Sequence, residues 1–336
     1  MVAPTPHETG GAPIAAHAIN HIRPAPTTKR PTMTVSNRAW AELLLLSAVW
    51  STSFLATQIV LREMGPVTLV MWRVASAATA LWLVMAARGI APPKGARVWG
   101  ALMLMGLLNN AIPFALISWG QESIETGLAA ILNASTALFA ALVAALILPD
   151  QRLTAGRLTG ICVGLCGVAA AVGPGAVAGL DPRSLGQLAV IGAAVAYAFA
   201  SVWARLRLTG LHPVAAAAGM TGCATVWILP AALMIEGTPT LAMSAPGWGA
   251  LAWLSLVGTA GAYLLYYRVL ALAGPANLML VTMIIPPMAI LIGAWVLKER
   301  VGPGALLGLA LIILGLVIID GRVWAQLRRR RAARLG

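Results

Sequence analysis

The sequence predicts an all-α polytopic membrane protein with ten transmembrane helices, built as two inverted five-helix repeats. Three observations carry this: the composition, the spacing of the apolar runs, and an internal repeat with an odd number of spans. The 336 residues are 60% hydrophobic and 10% charged, with a mean hydropathy of +0.85. A water-soluble domain of this size needs more polar surface than that. In hydrocarbon each backbone amide must be satisfied within the protein, so long runs of Leu, Ala, Val and Gly span as helices.

A bilayer core about 30 Å thick takes roughly 20 helical residues. Runs of that length lie near residues 39–61, 66–88, 97–119, 124–148 and 155–173, then near 184–206, 213–235, 247–269, 276–297 and 303–321. Each is bounded by Pro, Gly or a charge cluster: Pro66, Lys94 with Arg97, Asp150 with Arg152, Pro213, Pro303. The predicted domains are a first five-helix repeat over 38–175 and a second over 182–321. Residues 1–37, rich in Pro and Thr, read as a disordered cytosolic tail, and 322–336 as a basic cytosolic tail. The 1–37 segment has no continuous apolar stretch with a cleavage site, so it is not a secretory signal.

Net charge is +13. The basic residues sit between spans and at the chain ends, where topology rules and anionic headgroups place them, so nucleic acid is not the expected partner. With the N-terminus inside, eighteen of the 23 Lys and Arg fall on the cytosolic face, four (Arg62, Arg183, Lys298, Arg300) on the opposite face, and Arg73 within a span. Both termini are therefore expected in the cytosol of an inner-membrane protein. Glu63, Glu122, Glu125, Asp181, Glu236 and Glu299 fall outside and carry little topological weight. Cys162, Cys166 and Cys223 lie in apolar runs without metal-type spacing and read as small packing residues.

Shifting the chain by 147–149 residues aligns Trp99-Gly100 with Trp248-Gly249, Pro66 with Pro213, Arg152 with Arg300, and Gly156, Gly160 and Gly167 with Gly304, Gly308 and Gly315. Five spans is an odd number, so the second copy enters the membrane in the opposite sense. Inverted repeats of this kind rock against each other and expose a central site to either face in turn.

Several segments resemble the drug/metabolite transporter superfamily, in its ten-helix EamA-type branch. They are Trp50-Ser51-Thr52-Ser53-Phe54 closing span 1, Pro66 followed by Arg73 in span 2, and Asn110 with Pro113-Phe114 in span 3. Asp150-Gln151-Arg152-Leu153 forms the turn between spans 4 and 5, and Pro286-Pro287 through Lys298-Glu299-Arg300 to Gly308 forms its second-half equivalent. The resemblance covers 39–321 and implies a secondary transporter of small solutes. Ser51, Ala137 and Gln151 depart from the family's usual Gly, Pro and Glu. The superfamily carries amino acids, drugs and other metabolites on one scaffold, so fold does not choose among them.

Polar groups at membrane depth are the candidate substrate contacts. Arg73, seven residues beyond Pro66, lies roughly 10 Å into its span. An intramembrane Arg is a functional candidate and pairs bidentately with a carboxylate; the alternative is that it snorkels or ties up backbone carbonyls. Trp50, Phe54 and Gln58 form one helical stripe with Ser53 at its edge, suited either to a solute-lining wall or to packing. Asn109, Asn110 and Ser118 in span 3 surround Pro113, which frees a carbonyl. Tyr197 and Ser201 in span 6, and Thr259 and Tyr263 in span 8, add amphipathic aromatics and hydroxyls able to meet a ring or cation. Glu42 is the carboxylate placed to reach a cavity from the cytosolic side and so to couple protons, unless it is a solvated helix-start residue. The glycine ladder and the Arg328–Arg331 run read as structural.

The expected function is secondary transport, as export, of small organic metabolites such as amino acids or drug-like compounds by alternating access. Alternatives are a lipid or lipid-precursor flippase and, less favoured, a polytopic membrane enzyme. His7, His17, His21 and His212 lie outside the spans, and no HExxH, Asp-rich box or P-loop occurs. No catalytic residue, metal or cofactor is expected. The expected partners are a small-molecule solute and membrane lipids, with a homodimer left open.

Overall fold

The computed structural model describes residues 36–151, 154–173, 182–239 and 242–320, so both predicted tails lie outside the described residues except for residues 36 and 37. Ten helices are long and apolar enough to cross a membrane: α1 Asn37–Val60, α2 Pro66–Ala87, α3 Ala96–Gly120, α4 Thr126–Ile147, α5 Ala155–Val172, α6 Arg183–Arg207, α7 Pro213–Ile235, α8 Ala245–Gly274, α9 Leu280–Leu297 and α10 Pro303–Asp320. The expected boundaries hold to within a few residues, with the largest differences around the α8–α9 connection. There α8 runs on to Gly274, whose left-handed φ of 76° breaks the helix, and helix resumes directly after it, with a turn at Met279 before the continuous part of α9.

Local chemistry sets the helix starts. Pro66 and Pro213 occupy first-turn positions, where a missing N–H costs nothing. Ser36, Thr154 and Ser244 cap α1, α5 and α8 with their hydroxyls. By contrast, α2 and α4 begin after Gly65 and Glu125 with no side-chain cap of their own.

The helix pairing carries the two-fold relation of the repeats. Renumbering each helix by five sends every major contact onto another: α1–α8 onto α6–α3, α1–α9 onto α6–α4, and α2–α8 onto α7–α3, while α2–α7, α4–α9 and α5–α10 map onto themselves. The α5–α10 contact is made of glycine. A Cβ on Gly160 would lie 2.7 Å from the Gly315 carbonyl oxygen, and one on Gly308 would lie 2.6 Å from that of Gly167. Backbones therefore touch, which only glycine permits. Of the cysteines, Cys223 is buried against α3, whereas Cys162 and Cys166 are exposed on α5.

Among the described residues three helices widen to π-type turns, α3 at Leu107–Ala111, α8 at Trp253–Gly261 and α9 at Gly293–Leu297. In α3 the cause is Pro113, which cannot donate to Asn109. In α8 the Thr259 hydroxyl donates to the Leu254 carbonyl five residues back, at 2.8 Å. The 149-residue step that carries Trp99 onto Trp248 carries Asn110 onto Thr259, so the α3 and α8 distortions sit at equivalent places in the two repeats. Such turns recur at functional sites because they re-aim side chains.

Candidate functional site

The distorted helices α3 and α8 run antiparallel beside α2 and build two polar rungs. The first is centred on Arg73, which is 7% exposed. Its Nε donates to Thr259 Oγ1 at 2.8 Å, and its Cζ lies 3.7 Å from the Phe114 ring centroid, a close cation–π contact. That Nε contact is the guanidinium's one hydrogen bond among the described residues, where both terminal amino groups have no hydrogen-bond partner. Tyr197 and Tyr263 lie near enough to sense its charge.

The second rung is one turn nearer the end expected in the cytosol. Tyr263 donates its hydroxyl to Asn110 Oδ1 at 2.5 Å and accepts from Asn109 Nδ2 at 3.1 Å. Asn110 is fully buried, and its Nδ2 has no partner. The 149-residue step also carries Phe114 onto Tyr263, so the two rungs are repeat-related versions of each other. Arg73 has Met220 as its counterpart by the step from Pro66 to Pro213, and Met220 Sδ is 3.9 Å from Asn109 Nδ2. One rung is charged and the other neutral.

The structure thus brings together Arg73, Asn109, Asn110, Tyr197, Thr259 and Tyr263. Ser118 lies two turns outward from Asn110 on α3, buried and with an unpartnered hydroxyl. The span 1 stripe is used differently. Trp50 packs its ring 5.9 Å from that of Tyr266, and Ser53 donates to its own helix at Val49 while pressing on Gly258. Gln58 Nε2 donates to the carbonyls of Gln121 and Ile124 at 2.8 and 3.1 Å, and Gln121 Nε2 returns a bond to the Phe54 carbonyl at 3.0 Å. This is a reciprocal latch between α1 and the α3–α4 connection. Ser201 is exposed and bonds back to Ala198. Glu42 Oε1 takes both Arg38 and Arg268, at 3.2 and 2.6 Å, so the carboxylate ties α1 to α8.

At the opposite end, which the charge distribution places outside, three glutamates do more than their sequence context suggested. Glu236, following α7, accepts the Val67 and Thr68 amides at 2.9 and 2.8 Å and so caps the uncapped α2. Glu299, following α9, accepts the Thr126 amide at 3.1 Å and caps the uncapped α4. Glu63, following α1, accepts from the Ser244 amide and hydroxyl at 2.6 and 2.5 Å at the start of α8. All three join one repeat to the other. A Cβ on Gly65 would collide with the Glu236 carboxylate, and one on Gly293 with that of Glu299. For Glu236 and Glu299 the signal available in sequence was an uncapped helix start in one repeat and a glutamate ending a span of the other.

Hydrogen bonds from Ser244 hold the Glu63 carboxyl below the ordinary range, whereas burial, and then the charge of Glu236, push Glu122 up. At the other end Arg205, 2.5 Å away, holds Asp150 low. Surface clefts of about 210 and 280 Å³ occur at the two ends, the first lined by Glu125, Arg183 and Gln187 among others, the second by Arg97, Trp203 and Arg207. Neither is lined by a residue of the two rungs. Among the described residues no group of three His, Cys, Asp or Glu side chains is placed to hold a metal ion.

The family described as the EamA-like transporter family matches residues 39–173 and 184–320, one match on each repeat. A protein of Streptantibioticus cattleyicolor named "Probable terminal-alkyne amino-acid exporter" is 30% identical over 309 residues, covering 90% of this chain and 99% of its own. A solved crystal structure is similar at a TM-score of 0.61 and 20% identity, covering 88% of this chain and 98% of its own, which shows the shared fold.

Proposed function

We propose that this chain, which belongs to the EamA-like transporter family, exports small carboxylate-bearing metabolites of amino-acid type from the cytosol across the inner membrane, with both termini on the cytosolic side. The carrying observation is Arg73: a guanidinium buried beside apolar and aromatic groups, with both terminal amino groups unpaired. A cation desolvated in a span is costly without a counter-charge. Thr259 and Phe114 fix the plane of the guanidinium but do not neutralise it, so the fork remains available for a bidentate carboxylate. The name carried by the similar Streptantibioticus protein supports both the direction and the substrate class.

The mechanism follows from the inverted repeats. Rocking one five-helix unit against the other opens the α2–α3–α8 region to one end and then to the other. The outer end is held by Glu63, Glu236 and Glu299, and the inner end by the Glu42–Arg268 and Asp150–Arg205 pairs. A substrate carboxylate neutralises Arg73 during passage, and the aromatic groups cover its apolar body.

The test is uptake of labelled amino acids into proteoliposomes containing wild type, Arg73→Lys or Arg73→Ala. Hydrogen bonds to a charged partner are worth about 1.5–3 kcal/mol, so Arg73→Ala should raise KM by about tenfold to a hundredfold. Arg73→Lys keeps the charge without the fork and should fall between. Unchanged KM in a folded Arg73→Ala protein would remove the carboxylate role.

A further inference from the structure

We infer that the neutral rung formed by Asn109, Tyr263 and Asn110 is the subsite for the substrate's ammonium group, so the protein selects α-amino acids over carboxylates lacking the amine. This rests on the carboxylate reading of Arg73.

The first support is position. Thr259 and Tyr263 are four residues apart on α8, as are Asn110 and Phe114 on α3, so the rungs are roughly 6 Å apart along the helix axes. Two poles on one α-carbon bridge that gap with a hydrogen bond at each end. The ammonium then lies on the far side of the carboxylate from Arg73, away from the like charge.

The second support is the chemistry of the rung. Among the described residues the acids within spans are Glu42, engaged by two arginines, and Asp320 at the end of α10. At the depth of Arg73 an ammonium must be met by neutral oxygens, and this rung supplies them. Asn109 Oδ1 accepts no hydrogen bond among the described residues, because that side chain's bonds run through Nδ2.

The third is an unmet demand. Asn110 is 0% exposed and only half satisfied: Oδ1 takes the Tyr263 hydroxyl while Nδ2 has no partner. The O···O contact of 2.5 Å is within O–H···O range, so in this state Oδ1 is engaged and Nδ2 faces no acceptor. An unsatisfied buried amide calls for a ligand or a rearrangement. Turning the amide over lets the Tyr263 hydroxyl accept from Nδ2 and frees Oδ1 for an ammonium proton. The repeat-related position of the rung gives a fourth reason: it is where the second copy's version of the Arg73 site falls, with the charge removed.

The experiment measures binding to purified full-length protein of two matched pairs, L-norvaline with pentanoate and L-phenylalanine with 3-phenylpropanoate, by ligand-induced thermal stabilisation. Wild type should bind at least one amino acid about tenfold tighter than its des-amino partner. In Tyr263→Phe and in Asn109→Leu that ratio should fall towards one, whereas Arg73→Ala should weaken both members of a pair together and preserve the ratio. Equal binding within both pairs, binding of neither amino acid, or a ratio that survives both rung substitutions overturns the inference. If the Arg73 substitution weakens neither member, the carboxylate reading itself has failed.

Discussion

Replacing Glu236 should unlock the outer end of the protein. Gly65 supplies no side-chain cap to α2, and Pro66 has no amide to offer, so the first free donors are Val67 and Thr68, and both go to Glu236. Because Glu236 belongs to the second repeat and α2 to the first, these bonds must break when the repeats part at this end. Loss of a helix N-cap costs about 1–2 kcal/mol, and the negative charge at the helix start adds to that. A cost of that size on the closed form shifts the closed-to-open ratio by a factor of about 5–30. The readout is Ser118→Cys, placed in a background with Cys162, Cys166 and Cys223 replaced by alanine, because Ser118 is buried near the outer end of α3. An impermeant maleimide added outside should label Glu236→Ala about 5–30 times faster than its parent. Glu236→Gln, which keeps one acceptor oxygen, should be intermediate. Glu122→Gln should not accelerate labelling, since it removes an acid at the same end and with it a repulsion of Glu236. Equal rates in all four proteins, each with an unchanged melting temperature, would show that the glutamate cap does not hold the end shut.

The pH dependence follows from Glu63. Its folded pKa is depressed by Ser244, so its contribution is fully present above the ordinary glutamate value of about 4.3 and is lost as pH falls through the depressed value. Melting curves of wild type should show this acid loss, and Glu63→Gln should show a smaller one, the part due to Asp150 remaining. Gly315→Val places a Cβ 2.5 Å from the Gly160 carbonyl oxygen and 2.7 Å from the Gly164 amide nitrogen. Overpacking of this kind costs about 1–3 kcal/mol, visible as a lowered melting temperature, whereas Gly156→Ala, with open space around it, should be silent. Gln58→Leu strands the Gln121 and Ile124 carbonyls at about 1–3 kcal/mol. It should lower the melting temperature while leaving the KM of a transported amino acid unchanged, which separates the latch from the rungs.

How much of this was legible in the sequence depended on the physical signal. Ten spans and the odd-numbered repeat were readable because hydrocarbon imposes length and composition on every span. Arg73, Asn109, Asn110, Thr259 and Tyr263 stood out because a polar group in an apolar run needs a reason. Which way a polar side chain turns was not readable. Gln58 and Arg73 look alike as interruptions of apolar runs, yet Gln58 ends on backbone carbonyls beyond α3 and Arg73 keeps free donors. The π-type turns shift the facing of Asn110 and Thr259 relative to an ideal helix, so a 3.6-residue count misplaces them. The three glutamates Glu63, Glu236 and Glu299 were set aside because acids weigh little in topology. Their caps join residues more than 160 positions apart, which no local pattern reports.

The repeats are symmetric where motion requires it and asymmetric where chemistry does. Helix pairing and the glycine contacts of α5 with α10 map onto themselves under the two-fold relation, so the same rocking that closes one end opens the other. The polar positions break the relation. Arg73 has Met220 opposite it, Thr259 has Asn110, Phe114 has Tyr263, and at the ends Glu299 has Gln151. Glu299 reaches across to cap α4, whereas among the described residues Gln151 bonds to Asp150 and to Arg157 in the first turn of α5. Two charged rungs would repel each other and demand a dianion; two neutral rungs would leave a carboxylate with no counter-charge in a medium where that is costly. On the proposed reading of the rungs, one of each gives a single orientation to a small polar substrate. The unequal ends, one capped by carboxylates and the other joined by exposed ion pairs, allow the two openings to differ in cost although the scaffold is two-fold.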